Sequence, residues 1–234
     1  MGIDLHPRRR FLARAAGGAG LLLAGGCKPA VKTGQVGLMS GESEVSPVED
    51  LMREHGLLNR LLLLYEEFIR RLESAAELDS RMVSSTSGII RSFIEDYHES
   101  LEECHVFPRF LKAGRQVELV TELRAQHDAG RRLTGEIETL AMPEAFGTPE
   151  AKKKLSRDLR LFVRMYRPHE AREDTVLFPA FHDIVSGREY DALGEDFEKK
   201  EHELFGKEGF EGMVEKTAEI EKAMGLYELR QFTP

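Results

Sequence analysis

His98-Glu99-Ser100-Leu101-Glu102-Glu103 returns 71 residues later as His169-Glu170-Ala171-Arg172-Glu173-Asp174, and the rest of the chain is organised around this repeat. The same offset carries Phe107-Pro108-Arg109-Phe110 onto Phe178-Pro179-Ala180-Phe181. Upstream, Leu51-Met52-Arg53-Glu54-His55 answers Leu123-Arg124-Ala125-Gln126-His127 at an offset of 72, and Arg60-Leu61 answers Arg132-Leu133. Each half therefore carries one His on a first segment and His-x-x-x-Glu on a second. Chance supplies one such pair easily in a chain with eight His, but not two pairs with matching flanks.

The segments that hold these residues read as helices. Ser46-Pro47-Val48-Glu49 is a helix start, with Ser as N-cap, Pro at the first position and Glu three residues after the cap. Leu51, His55, Leu58, Leu62 and Tyr65 then recur at helical spacing to about Glu77. Further helices are expected at about Asp79 to Ala113, closed by Gly114, at Gln116 to Ala141, and at Thr148 to Ser186. Shorter amphipathic stretches near 189–205 and 213–229 complete the chain, and no alternating strand pattern is visible. The fold class is all-α: an up-down four-helix bundle with additional C-terminal helices. The chain divides as an export signal at 1–27, a flexible linker at 28–46, the bundle at 47–205 and a helical extension at 206–234.

Composition narrows the function. A net charge of −8 and a pI near 5.6 argue against nucleic-acid binding, which needs a basic stripe. Two cysteines among 234 residues cannot build a disulfide scaffold. No nucleophile–base pair or nucleotide loop stands out, which leaves hydrolase and kinase roles unsupported.

The repeat points to metal. Residues four apart on an α-helix differ by about 40° in direction and about 6 Å in rise, so each His and Glu share a face. Packing the two hairpins together brings His55, His98, His127 and His169 into one core with Glu102 and Glu173. Two carboxylates facing each other in an apolar core need cations to neutralise them. Two divalent ions bridged by both carboxylates, with two His each, meet that need. Imidazole and carboxylate without thiolate favour iron over calcium or magnesium, with zinc and manganese as the other candidates.

On these residues the region from about 48 to 205 resembles the hemerythrin-like HHE cation-binding family, whose fold is a four-helix bundle. The resemblance implies a non-haem di-iron centre, oxo- or hydroxo-bridged, held by His55, His98, Glu102, His127, His169 and Glu173. Glu99 and Glu170 also match the family's His-Glu pairs. The family's oxygen carriers place a second His four residues after the third-helix ligand, where this chain has Arg131, and an Asp five residues after the last His, here Asp174. Glu173 lies closer to the direction of His169 and answers Glu102 in the repeat. The missing His argues against simple reversible O2 carriage and for a more open site.

Other residues have plainer readings. His105, seven residues after His98, is expected to face the site, for packing or as a further ligand. His182 and His202 read as surface residues, Cys104 as a small buried thiol, and Tyr166 as a core aromatic within reach of the site. The Phe-Pro pairs should loosen each helix beyond its carboxylate and pack Phe between hairpins. The stretch 198–203 reads as a solvated face.

The N-terminus is a different kind of sequence. Arg8-Arg9-Arg10-Phe11-Leu12 resembles a twin-arginine export motif, and the run from Ala15 to Gly26 is short and weakly apolar. Leu23-Ala24-Gly25-Gly26-Cys27 resembles a lipobox, which implies lipidation of Cys27 and anchoring on the periplasmic side of a membrane; a soluble periplasmic protein is the alternative. Removing residues 1–26 takes away four Arg and one Asp and leaves a mature charge of −11. Three functions stay open: a di-iron protein that binds or senses O2, NO or peroxide or handles iron; an oxidoreductase reducing NO or peroxide; and a metal-stapled structural lipoprotein.

Overall fold

In the computed structural model, residues 45–234 are described; the segments read as export signal and most of the linker lie outside them. Four long helices form the bundle. Helix α1 is Pro47–Glu73. Helix α2, residues 80–113, joins Ser80–Ile89, Ile90–His98, Glu99–Leu101, Glu102–Val106 and Phe107–Ala113. Helix α3 is Val117–Ala141, and α4, residues 149–181, joins Pro149–Arg172, Glu173–Leu177 and Phe178–Phe181. Two further helices, α5 (Gly187–Phe205) and α6 (Gly209–Met224), follow, and no strand occurs among the described residues.

The helix ends follow local chemistry. Ser46 Oγ accepts the Glu49 N–H at 3.2 Å, with Pro47 in the first turn, where a missing N–H costs nothing. Thr148 caps α4 in the same way, again before a Pro. Gly114, at φ 64°, closes α2 in the left-handed conformation that a glycine adopts without strain. The fourth helix stops at Phe181 rather than Ser186, because Ser186 serves as N-cap of α5.

Helix α4 packs against α1 and α3, α2 packs against α3 and α1, and α6 lies on α1 and α2. Residues 46–234 form one compact unit, so the C-terminal helices belong to the same body as the bundle. Its core is apolar side chains in register on the facing stripes: Leu51, Leu58, Leu62 and Tyr65 of α1 with Phe93, Leu123, Leu159 and Phe162. A band of buried polar residues crosses this core, and it contains His55, His98, Glu102, His127, His169 and Glu173.

Among the described residues, three stretches wind as π-helix: Ile90–His98, Glu102–Val106 and Glu173–Leu177. The last two are repeat-related, and each ends just before a Phe-Pro pair. A helical Pro cannot donate and collides with the carbonyl four residues back; π winding draws that carbonyl away. This is the loosening expected beyond each carboxylate. It also carries the following residues off the α-helical face.

Candidate metal centre

Four imidazoles and two carboxylates meet at the middle of the bundle. His55 comes from α1, His98 and Glu102 from α2, His127 from α3, and His169 and Glu173 from α4; each is at least nine-tenths buried. The imidazoles form two pairs, His55 Nε2 to His98 Nε2 at 3.1 Å and His127 Nε2 to His169 Nε2 at 3.2 Å. Glu102 Oε2 lies 3.7 Å from His98 Nε2 and 3.4 Å from His127 Nε2, so it spans both pairs. Glu173 Oε2 does the same from the other side, at 3.4 Å from His55 Nε2 and 3.1 Å from His169 Nε2.

The outer nitrogens settle what the inner ones offer. His55 Nδ1 donates to Asp174 Oδ1 at 2.8 Å and His98 Nδ1 to Glu54 Oε2 at 2.7 Å. His127 Nδ1 donates to Glu103 Oε1 at 2.9 Å and His169 Nδ1 to Gln126 Oε1 at 3.0 Å. A neutral imidazole whose proton is on Nδ1 presents a lone pair at Nε2. In that neutral form each ring turns an Nε2 lone pair inward, His55 beside His98 and His127 beside His169. Both oxygens of Glu102 and both of Glu173 are buried there with no hydrogen-bond donor. An interior this rich in acceptors and empty of donors fits cations, and two sets of potential ligand atoms each lie within 4.8 Å of one another: Glu102, His127, His169 and Glu173, and His55, His98 and Glu102.

Without cations the cluster must hold protons. Burial, and then the facing Glu173, push the Glu102 carboxyl well above the usual range. Burial works the same way on Glu173, but His169 and His55 outweigh it and hold that group well below. Burial lowers His55, yet Asp174 and Glu173 overcome it and carry it to about 10. His127 is lowered to about 4, chiefly by burial.

The aromatic surroundings repeat, and the polar ones repeat in part. Phe178 stacks on His55 with ring centroids 5.5 Å apart, and Phe107 on His127 at 5.4 Å, each Phe crossing from one hairpin to the other. Asn59 donates to Glu170 at 2.9 Å, where the other half has Arg131 against Glu99 at 2.9 Å and Glu103 at 2.8 Å. Tyr166 is buried in the core and donates its hydroxyl to Glu99 Oε1 at 2.6 Å. Burial raises Glu99 to about 8 despite these partners.

Three expectations fail. His105 does not face the centre: π winding turns it outward, and its ring packs edge-on against Phe197 of α5 at 5.5 Å. Cys104, read as buried, is exposed: two residues after Glu102, it points about 200° away from that buried side chain. Glu201, read as part of a solvated face, is buried, accepting the Phe210 N–H at 2.9 Å and the Tyr97 hydroxyl at 3.4 Å. His182 and His202 are exposed, as read. Of the residues holding the outer nitrogens, only Asp174 stands out in the sequence, as a rival to Glu173, although Glu54 and Gln126 adjoin His55 and His127 in the repeat itself.

The pattern described as the hemerythrin HHE cation binding domain matches residues 46–181. Uncharacterized proteins of Mycobacterium bovis and Mycobacterium tuberculosis are each 42% identical over 231 residues, covering 97% of this chain and 91% of their own. No solved structure matches the chain.

Proposed function

From the chain's place in the hemerythrin HHE cation-binding family, to which it belongs, we propose that the interior cluster holds two iron ions and that the protein binds or senses O2, NO or peroxide, or handles iron. The ligands in this reading are His55, His98, Glu102, His127, His169 and Glu173. One observation carries it: the inward Nε2 atoms of four buried His lie in two close pairs beside four carboxylate oxygens that have no hydrogen-bond partner. Two iron ions there would supply redox chemistry and coordination positions for a small ligand. The protein's part is to hold the cage. Asp174, Glu54, Glu103 and Gln126 fix ring orientation and tautomer. Phe107 and Phe178 cover two of the rings and keep bulk water away.

Arg131, in place of a ligand, is tied to Glu99 and Glu103 and does not fill a coordination position. That supports a site open to an exogenous ligand over a purely structural staple. The test is anaerobic titration of the loaded, reduced protein with NO and with O2, followed optically. Bands that saturate at a fixed ratio of gas to protein support the reading; an unresponsive spectrum supports the staple. Multiple turnover with a reductant would move the protein to the oxidoreductase reading.

We also propose that the protein is exported through its Arg8-Arg9 signal and anchored through Cys27. Support comes from those residues. Lys in place of Arg8 and Arg9 should block export, and Cys27→Ala should release the protein from the membrane fraction. Unchanged fractionation of either variant overturns the corresponding step.

A further inference from the structure

The two halves of the cage differ in charge at repeat-related positions. On the His55–His98 side both outer acceptors are carboxylates, Asp174 and Glu54. On the His127–His169 side the position of Glu54 is taken by Gln126, a neutral amide. The position of Asp174 is taken by Glu103, and Arg131 stands 2.8 Å from it where the first half has Asn59. An acceptor carboxylate makes the imidazole above it a stronger donor to a metal, and its charge attracts the cation directly. An amide does neither, and a carboxylate shared with a guanidinium does less of both.

Access differs in the same sense. Helices α5 and α6 pack over α1 beside the first pair, with Glu201 buried against Asp50 and Glu54. Beside the second pair, a groove of about 520 Å³ opens between α3 and α4. Gln126 and Pro168, the neighbours of His127 and His169, line it.

We propose that the two metal positions are inequivalent: the His55–His98 position keeps its ion, and the His127–His169 position exchanges its ion through the α3–α4 groove. The inference rests on the two-ion reading above. Outer acceptors of this kind change metal affinity by roughly 10–100-fold, so the two positions should differ by at least about tenfold.

The test uses the iron-loaded protein, reduced and anaerobic, with ferrozine in excess and the ferrous complex followed by absorbance. Wild type should release its iron in two phases of equal size, with rates at least about tenfold apart. Gln126→Glu should slow the fast phase and leave the slow one unchanged. Glu54→Gln should speed the slow phase alone. Both substitutions are close in shape, and far-ultraviolet circular dichroism confirms the fold. A single phase from wild type, or two phases that neither substitution moves selectively, overturns the inference while leaving the two-iron reading intact. A total of one iron or none per chain overturns that reading and the inference with it.

Discussion

Gly130 and Gly56 lie inside helices, and replacing each by Ala should move stability in opposite directions. Gly56 is exposed on α1, and a Cβ there meets nothing within 4 Å. Ala at a helix-interior Gly gains about 1 kcal/mol in helix propensity, so Gly56→Ala should stabilise by up to that amount. Gly130 is buried on α3, and a Cβ there would lie 2.8 Å from Tyr166 Cζ and closer still to its hydroxyl oxygen. The ring has nowhere to go. It stacks on Phe162 at 4.3 Å, faces His169 at 5.4 Å and donates to Glu99. Forcing it aside adds an overpacking cost of about 1–3 kcal/mol and sacrifices a buried hydrogen bond of about 0.5–1.5 kcal/mol. Set against the propensity gain of about 1 kcal/mol, Gly130→Ala should lose about 0.5–3.5 kcal/mol. Urea unfolding of the loaded protein reads both values as midpoint shifts at constant slope. Adding Tyr166→Phe removes the closest atom, so the double variant should be less destabilised than the sum of the singles. A Gly130→Ala protein as stable as Gly56→Ala would refute the packing of Tyr166 over α3.

Removing the metal should lower the melting temperature, because an ion bound by the native state alone stabilises by mass action, on the order of several kcal/mol for a tight site; equal calorimetric transitions with and without chelator would place the cluster outside the core. His127 and Arg131 hold Glu103 down at about 2, so its contribution is complete above the unfolded carboxylate value and is lost as pH falls through about 2. Glu103→Gln should therefore be less stable than wild type near neutrality, with the gap closing in acid-unfolding series; a gap that widens at low pH contradicts the assignment. His105→Ala should leave iron content and spectrum unchanged, whereas His98→Ala should lose iron; equal losses would return His105 to the cage.

Much of this site is legible in sequence because a repeat shows which residues share a task. Helical spacing then tells which of them share a face. Helical spacing fails where the winding changes. His105 is two α-turns from His98 by count, but the π segment Glu102–Val106 lies between them, and it turns less per residue. The signal was present in Pro108 and Pro179, repeat-related prolines inside otherwise helical runs. Acceptors are harder to read than ligating groups. Glu54 adjoins His55 in sequence yet serves His98, because neighbours on a helix point about 100° apart and reach different partner helices. Arg131 reads as a lost ligand until its two carboxylate partners are seen. Glu201 has no signal of its own: it stands in a Lys/Glu-rich run, and only the packing of α5 buries it.

The central claim is that this bundle holds two iron ions between Glu102 and Glu173. Metal analysis of protein isolated without added metal, combined with a Mössbauer spectrum, tests it most directly. Two irons per chain should be found as one coupled pair, with loss of both in the His98→Ala, His169→Ala double variant. A single tightly bound zinc, or iron retained in full by that variant, would contradict it.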